Sequence, residues 1–207
     1  MITTQIVSAS LAECAAALDA LRRDSATQAA IVAAGGALAT ALRLGNRAFS
    51  CGNGGSFCDA VHFAEELSGR YRLDRPALAA QAISDAAHLT CVANDYGYEM
   101  VFARYLEAHG RAGDILIAIS TSGTSPNILR AAEVANRKSM LVVALTGRPG
   151  SPLAAVADIE VCTPGGRYAD RVQELHIKVI HILIELVERE LFPALYSADS
   201  DTDRSKT

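Results

Sequence analysis

A turn rich in hydroxyl side chains separates an apolar segment from a predicted helix. Residues 115–119 form an unbroken aliphatic run, typical of a parallel strand buried on both faces. The hydroxyl groups that follow belong to Ser120, Thr121, Ser122, Thr124 and Ser125. Ser125 suits a helix N-cap and Pro126 the first helical position. Hydroxyl groups, free N–H groups and the helix dipole together predict a phosphate-binding loop. An ordinary serine-rich turn before a capped helix is the alternative.

A glycine-rich turn follows the first predicted strand, residues 47–51. Its sequence, GNGGS at residues 52–56, allows a ligand to approach the backbone closely. It lacks the third glycine of a dinucleotide fingerprint, which would fall on Phe57, and the Gly-Lys-Ser/Thr of a P-loop. A tight turn that binds nothing explains this segment equally well.

Two polar residues on the next predicted helix, residues 57–69, could bind a metal or move a proton. His62 and Glu66 are four residues apart and therefore share one helix face. This spacing suits two metal ligands, or a base with its partner. For an isolated pair, a solvent-exposed His–Glu contact is the simpler interpretation.

The last predicted helix, residues 169–192, places polar groups on an apolar surface. Residues 172–187 are apolar nearly all round, which is typical of a buried helix. Gln173, His176 and His181 lie in or beside that surface, and buried polar groups need partners. Two hydrogen-bonded core histidines are one explanation. Combined with the His62–Glu66 pair, these residues favour a shared polar site.

Asn94 and Asp95 stand at the end of another predicted helix, residues 85–94, before a glycine-containing turn. They could cap the helix and form the turn, or they could hold sugar hydroxyl groups. Local sequence favours neither explanation.

The elements that carry these residues alternate between strand and helix. Strands are predicted at residues 47–51, 79–84, 115–119, 140–145 and 159–162. The alternation predicts an α/β fold with a right-handed, doubly wound, parallel five-stranded sheet. Ligands bind such sheets beyond the carboxyl ends of the strands, where the glycine and hydroxyl turns both lie.

Three regions are predicted along the chain. Residues 1–45 form extra N-terminal helices that pack on the core and at a subunit interface. Residues 46–193 form the α/β domain, including the long C-terminal helix, and the polar residues 194–207 form a disordered tail.

Composition narrows the possible partners. The chain has 207 residues, of which 50% are hydrophobic, and its net charge of −4 does not suit nucleic-acid binding. We find no apolar run long enough to span a membrane and no signal peptide. Five scattered cysteines without a CxxC motif indicate a reducing compartment. The protein is expected to be cytoplasmic, with neither nucleic-acid nor membrane partners.

Five segments, in this order and spacing, resemble the phosphoheptose isomerases of the sugar isomerase (SIS) domain class. They are CGNGGS, DAVHFAEELSGRYR, ANDYGYE, ISTSGTSPN and RVQELHIKVIHILIELVE. The resemblance covers about residues 1–192. It implies a flavodoxin-like SIS fold and conversion of sedoheptulose 7-phosphate to D-glycero-D-manno-heptose 7-phosphate. It also implies a role in ADP-heptose precursor synthesis for lipopolysaccharide, and a homotetramer whose active sites neighbouring subunits complete.

The resemblance further implies roles for individual residues. The phosphate group would be held by Ser120, Thr121, Ser122 and Ser125. The substrate would contact Asn53, Gly54, Gly55, Glu66, Asn94, Asp95 and Gln173. One zinc ion per subunit would bind His62, Glu66, Gln173 and His181.

Such an isomerase moves one proton between adjacent carbons and another between their oxygens, through a cis-enediol. We assign Glu66 as the base at the carbons and His181 as the acid at the oxygens, with zinc polarising the carbonyl. A carboxylate bound tightly to zinc is a poorer base. Glu66 therefore binds zinc loosely, or another group moves the proton. Asp170 is a second candidate.

Two other functions stay open. A non-catalytic SIS tetramer that binds a replication-initiator protein would share the phosphate loop, but it would not need the zinc ligands together. An isomerase of a related sugar phosphate, such as arabinose 5-phosphate, usually carries regulatory domains for which 207 residues leave no room.

Overall fold

The computed structural model describes residues 3–197, which contain one parallel sheet covered by helices. The strands are β1 Ala48–Cys51, β2 Ala80–Ala82, β3 Ile115–Ser120, β4 Leu141–Thr146 and β5 Ile159–Cys162. The helices are α1 Thr4–Arg23, α2 Ser25–Arg43, α3 Gly55–Ser68, α4 Ala86–Tyr96, α5 Val101–His109, α6 Pro126–Arg137, α7 Pro152–Val156 and α8 Ala169–Leu191. Short 3-10 helices occupy Tyr98–Met100 and Pro193–Tyr196.

The strand order β2-β1-β3-β4-β5 confirms the predicted doubly wound sheet. The chain moves outward from β1 to β2 and then returns past β1 to form β3. Strand order therefore reverses between β1 and β3, the place where ligands bind such sheets. Cys51 pairs with Ala118, two residues before β3 ends. The glycine turn and the hydroxyl turn consequently leave the sheet side by side.

The aliphatic run of β3 is buried on both faces of the sheet, as its lack of alternation predicts. Ile115, Ile117 and Ile119 face a cluster that includes buried residues of α2, α3 and α8. Leu116 and Ala118 face a second cluster, formed largely by α5 and α6. The strand that leads to the hydroxyl turn is therefore held between two hydrophobic layers.

Helix α2 corrects one expectation from composition. By length and composition alone it could cross a membrane, although the sequence analysis found no apolar run long enough to do so. Its apolar composition is explained by packing, because Ile31, Ala34 and Leu38 are buried in the cluster shared with α8. Gly35 allows a close approach, since a Cβ atom there would lie 2.8 Å from the Leu186 Cβ atom. In this structure α2 is a core helix.

Several element boundaries differ from the predicted ones. Helix α3 begins at Gly55 within the glycine turn, and β2 is limited to three residues that pair with β1 at the sheet edge. Helix α4 continues to Tyr96 and is broken by Gly97 at φ +91°, so Asn94 and Asp95 lie inside its last turn. Asp170 lies in the first turn of α8, within the helix predicted for residues 169–192. Hydrophobic periodicity locates the body of an element better than its ends.

The predicted tail is partly structured. Its first residues belong to the 3-10 helix Pro193–Tyr196, and the Tyr196 hydroxyl donates a hydrogen bond to Glu188 Oε2 at 2.5 Å. The prediction of disorder for residues 194–196 is therefore wrong, because a buried carboxylate gives this segment a partner. Residues 198–207 lie outside the described part of the chain.

His176 is a buried core histidine, one of the two explanations offered for the histidines of this helix. Its Nε2 atom hydrogen-bonds to the Thr146 carbonyl at the end of β4, at 3.0 Å. Its Nδ1 atom has no partner among residues 3–197. Burial lowers the pKa of His176 to about 4. The imidazole is therefore held in its neutral form.

We predict that His176 makes folding stability depend on acid. Its pKa is depressed in the fold, so the unfolded chain binds more protons between about pH 4 and 6.5. Stability should fall as pH drops through that window. His176→Gln keeps a donor for Thr146 without titrating. Between about pH 6.5 and 4, the free energy of unfolding of the wild type should fall by up to about 3 kcal/mol more than that of this variant. Urea unfolding measures the difference. Equal pH dependence in both proteins would contradict the assignment.

Candidate active site

The hydroxyl turn after β3 folds around its own serines. The Ser120 and Ser125 Oγ atoms are 3.1 Å apart, and the Gly123 N–H donates to Ser120 Oγ at 3.2 Å. Gly123 has φ +64°, which favours glycine. Ser125 occupies the N-cap position of α6, as predicted, but its side chain makes no capping bond. Its hydroxyl instead joins Ser120 in the turn, at the positive end of the α6 dipole.

Two arginines lie close to this turn. Thr121 and Ser122 line a cavity of about 70 Å³ together with Arg148 and Arg167. Hydroxyl and guanidinium groups around a small cavity beside a helix N-terminus suit a phosphate group. Sequence reasoning missed both arginines, since neither belongs to a recognised motif.

A reciprocal amide pair joins the glycine turn to α6. Asn53 Nδ2 donates to Asn127 Oδ1 at 2.9 Å, and Asn127 Nδ2 donates to Asn53 Oδ1 at 2.8 Å. The Tyr98 hydroxyl also donates to Asn53 Oδ1, at 3.0 Å. Asn127 is buried, so its amide depends on these bonds. The two turns at the reversal of strand order therefore form one connected unit.

His62, Glu66 and His181 meet where α3 packs on α8. His62 Nε2 lies 3.1 Å from Glu66 Oε1, and His181 Nε2 lies 3.7 Å from Glu66 Oε2. The two Nε2 atoms are 3.4 Å apart. The structure thus unites the predicted His–Glu pair with a histidine 119 positions away along the chain. We call these three residues the His–Glu–His cluster.

Burial sets the electrostatics of the His–Glu–His cluster. It lowers the pKa of His181, an effect that the nearby Glu66 carboxylate partly opposes. The ring of Tyr71 stacks on His181, with centroids 5.8 Å apart and planes 22° apart. Asp59, three residues before His62 on α3, is a buried carboxyl group whose pKa burial raises to about 6, with His62 acting in the opposite direction. Neither Tyr71 nor Asp59 has a sequence signal that marks it as part of a site.

The donor set of the cluster fits a zinc ion. One ligand atom from each of His62, Glu66 and His181 lies within 4.8 Å of the others. Glu66 Oε2 is buried and has no hydrogen-bond partner among the described residues. A buried carboxylate oxygen in this state lacks the compensation that polar groups require. Two imidazoles and a carboxylate are common zinc ligands.

Gln173 lies two helical turns before His181 on α8, at the glycine-turn end of α3. A Cβ atom on Gly55 would be 2.6 Å from Gln173 Oε1, so the amide lies against the glycine turn. Eight residues of α8, about 12 Å, separate Gln173 from His181. This position suits the predicted substrate contact, and zinc ligation by Gln173 stays a prediction.

Three other predicted residues lie outside the cluster. Asn94 and Asp95 are exposed on α4, where Asn94 Nδ2 donates to Asp95 Oδ1 at 2.7 Å. Asp170 accepts a bond from the Arg171 N–H at 2.8 Å and contacts the Arg171 guanidinium. Within residues 3–197, none of the three has a recorded contact with the His–Glu–His cluster. Their roles stay predictions.

Comparison with known proteins identifies close relatives. The sequence profile of the SIS domain family matches residues 11–147. A phosphoheptose isomerase of Aeromonas hydrophila is 54% identical over 187 residues, covering 90% of this chain and 97% of that protein. A phosphoheptose isomerase of Photorhabdus laumondii is 53% identical over 189 residues, covering 91% of this chain and 98% of its own.

Solved structures agree with the sequence comparison. The phosphoheptose isomerase of Neisseria gonorrhoeae superposes with a TM-score of 0.82 at 38% identity, covering 89% of this chain and 98% of that one. A phosphoheptose isomerase from Francisella tularensis gives a TM-score of 0.85 at 34% identity, covering 91% and 100% of the two chains.

The amide pair predicts energetic coupling between the two turns. Asn53→Ala should lower the free energy of unfolding by about 1–3 kcal/mol, because it leaves the buried Asn127 amide unpaired. Asn127→Ala should lower it by about 0.5–1.5 kcal/mol, because the half-buried Asn53 keeps its bond from Tyr98. The double variant should be less destabilised than the sum of the two, since it removes both partners. Urea unfolding of the four proteins measures the coupling. Strictly additive losses would show that the pair does not connect the turns.

Proposed function

The chain belongs to the phosphoheptose isomerase family of SIS-domain proteins, and on this basis we propose that it interconverts sedoheptulose 7-phosphate and D-glycero-D-manno-heptose 7-phosphate. Relatives with this name are 53–54% identical over about nine-tenths of the chain. The observation that supports the proposal best is the His–Glu–His cluster, because a binding-only SIS protein has no need for it.

The spacing of the two parts of the site supports a long sugar phosphate as substrate. The hydroxyl turn is tied to the glycine turn through Asn53, and α3 begins two residues later at Gly55. His62 lies seven residues further along α3, about 10 Å at 1.5 Å per residue. A phosphate held near the hydroxyl turn would leave the opposite end of an extended sugar near the cluster. In a 7-phosphate, that end carries the carbonyl group and the reacting carbons.

The chemistry that we propose for the chain's own groups is proton transfer. The Glu66 carboxylate takes a proton from one carbon of the ketose and returns it to the neighbouring carbon through a cis-enediol. His181, which its lowered pKa keeps neutral, exchanges a proton with the substrate oxygens.

We further propose one zinc ion per subunit, held by His62, Glu66 and His181, with Gln173 completing the set. The buried, unpartnered Glu66 oxygen supports metal binding at this place. Bound zinc would act as a Lewis acid on the sugar carbonyl. Because a carboxylate has two oxygens, Glu66 could contact the metal through one and accept the carbon proton through the other.

The proposal extends to assembly and location. Helix α1 exposes an apolar face, with Val7 57% and Leu11 66% exposed and Leu18 on the same face. An exposed apolar stripe of this kind marks an interaction surface. We assign it to a homotetramer in which neighbouring subunits complete the active sites. The enzyme would act in the cytoplasm, at the first step of ADP-heptose precursor synthesis for lipopolysaccharide.

Substitution of Glu66 tests the proposed reaction. Glu66→Gln preserves shape but removes the base, so turnover should fall about 10²- to 10⁴-fold. NMR detection of aldose formed from sedoheptulose 7-phosphate measures the rate. Glu65→Gln is the matched control, because Glu65 is the exposed neighbour on the same helix and should keep wild-type turnover. A zinc-loaded wild type without turnover would contradict the phosphoheptose assignment.

Chelation separates the roles of protein and metal in the same assay. Loss of turnover after zinc removal, restored by added zinc, is the expected result. Full turnover in metal-free protein would assign the reaction to the side chains alone and contradict the zinc proposal.

A charge on the exposed face of α1 tests the assembly. Leu11→Glu places a carboxylate on the proposed interface, and burying it there would cost several kcal/mol. Light scattering coupled to size exclusion should therefore record a mass below the tetramer, with reduced turnover. Gln5→Glu adds the same charge on a different face of α1 and should leave the tetramer intact. An unchanged mass for Leu11→Glu would exclude this face from the interface.

A further inference from the structure

Three residues of the connection between α3 and β2 contact one face of α8. They are Tyr71, Arg72 and Arg75, which lie against His181, Glu185 and Glu188 respectively. The three α8 positions share a face because they are four and three residues apart. The row starts at the His–Glu–His cluster itself, since Tyr71 stacks on His181. This connection therefore links the helix that carries Glu66 to the helix that carries His181.

Arg75 is the most buried member of the row. Its side chain and that of Glu188 are both fully buried, with Nε and Oε1 2.9 Å apart. Its other guanidinium nitrogens donate to backbone carbonyls at the end of α3, to Glu66 O at 2.6 Å and Leu67 O at 2.7 Å. One planar group thus contacts both helices. A lysine could not reproduce the contact, because it has a single nitrogen and no fork geometry.

Arg75 is one external partner of the end of α3, where the Leu78 N–H also donates to the Leu67 carbonyl at 3.0 Å. The last four carbonyls of a helix accept no hydrogen bond from within the helix. Helix α3 has no basic residue in its last turn that could donate to them. Arg75 supplies hydrogen bonds and a positive charge at the negative end of the helix dipole. One of the carbonyls that it contacts belongs to Glu66, so Arg75 hydrogen-bonds to the backbone of a cluster residue.

We propose that Arg75 and Glu188 are positioning residues that fix the last turn of α3 against α8, so that Glu66 meets His62 and His181. A buried ion pair stabilises a fold little, and apolar residues of similar volume often replace it without loss. The guanidinium of Arg75 bonds to both helices and therefore fixes the position of the cluster. An apolar pair would not fix it. The inference rests on the proposed isomerase function.

The double variant Arg75→Met/Glu188→Met tests positioning against stability. It removes both buried charges together, so it should lose less stability than either single variant, which leaves one buried charge without its partner. Its kcat should nevertheless fall about 10- to 100-fold, since small misplacements of catalytic groups carry such losses. A wild-type Tm with a kcat within twofold of wild type would overturn the proposal.

Tyr196→Phe is the matched control. It removes a hydrogen bond to the same Glu188 carboxylate but leaves α3 untouched, so kcat should stay within twofold of wild type. A kcat loss in this variant as large as in the double variant would assign the effect to Glu188 alone and overturn the role of Arg75.

If the double variant folds poorly, Arg75→Lys replaces it and is compared with Leu38→Ala, a core variant in the α2–α8 layer. The comparison is made at temperatures where both proteins are folded. Positioning predicts a kcat at least about tenfold lower for Arg75→Lys than for the core variant. Equal kcat values would overturn the proposal.

Two readouts do not depend on turnover. Amide hydrogen exchange in residues 66–69 should be at least about tenfold faster in the double variant, because the last turn of α3 loses its hydrogen bonds from Arg75. Zinc affinity, measured by competition with a chelating dye, should weaken by about 10-fold or more. Unchanged exchange and unchanged affinity would overturn positioning even if the substrate assignment proved wrong. Failure of the wild type to isomerise, with both readouts changed, would instead contradict only the proposed function.

Discussion

The packing of α3 on α8 is the constraint on which the candidate site depends. At the first end of α3, Gly55 has no side chain and the amide of Gln173 fills the space. At the other end, Arg75 joins the last carbonyls of α3 to Glu188 of α8. The His–Glu–His cluster lies between these two contacts. With both ends of α3 held, the three side chains of the cluster meet, and all three belong to helices.

Buried polar groups fix the relative orientation of elements, which hydrophobic packing alone does not. Apolar burial brings elements together but does not choose one orientation, whereas hydrogen bonds require defined distances and angles. Ser50 of β1 donates to the Ala60 carbonyl of α3 at 2.7 Å, and the Asn53–Asn127 pair joins the two turns. The sheet, the hydroxyl turn and α3 are connected through these bonds. The sugar phosphate that we propose would therefore find both parts of its site already placed.

Sequence patterns predicted the fold almost completely. The aliphatic run of β3 has no polar alternation because both of its faces are covered, so its burial could be inferred from composition alone. The ends of elements were harder to predict. Asn94 and Asp95 were placed before a turn, yet α4 continues through them because only Gly97 has a positive φ angle there. Ser125 was expected to cap α6, but a partner within the turn, Ser120, competes for its hydroxyl group.

Relations within one element were determined by the sequence itself. His62 and Glu66 share a face because the α-helix repeats every 3.6 residues, and the hydroxyl turn reaches the ligand edge because a parallel strand precedes it. Only the tertiary structure decided which residues of different elements meet. It joined His181 to the pair on α3, stacked Tyr71 on that histidine, and placed Gln173 against the glycine turn. It also joined Arg75 to Glu188 over 113 positions of sequence. Helical periodicity carries no information on such contacts, because the distance and rotation between helices are set by side chains that pack from all parts of the chain.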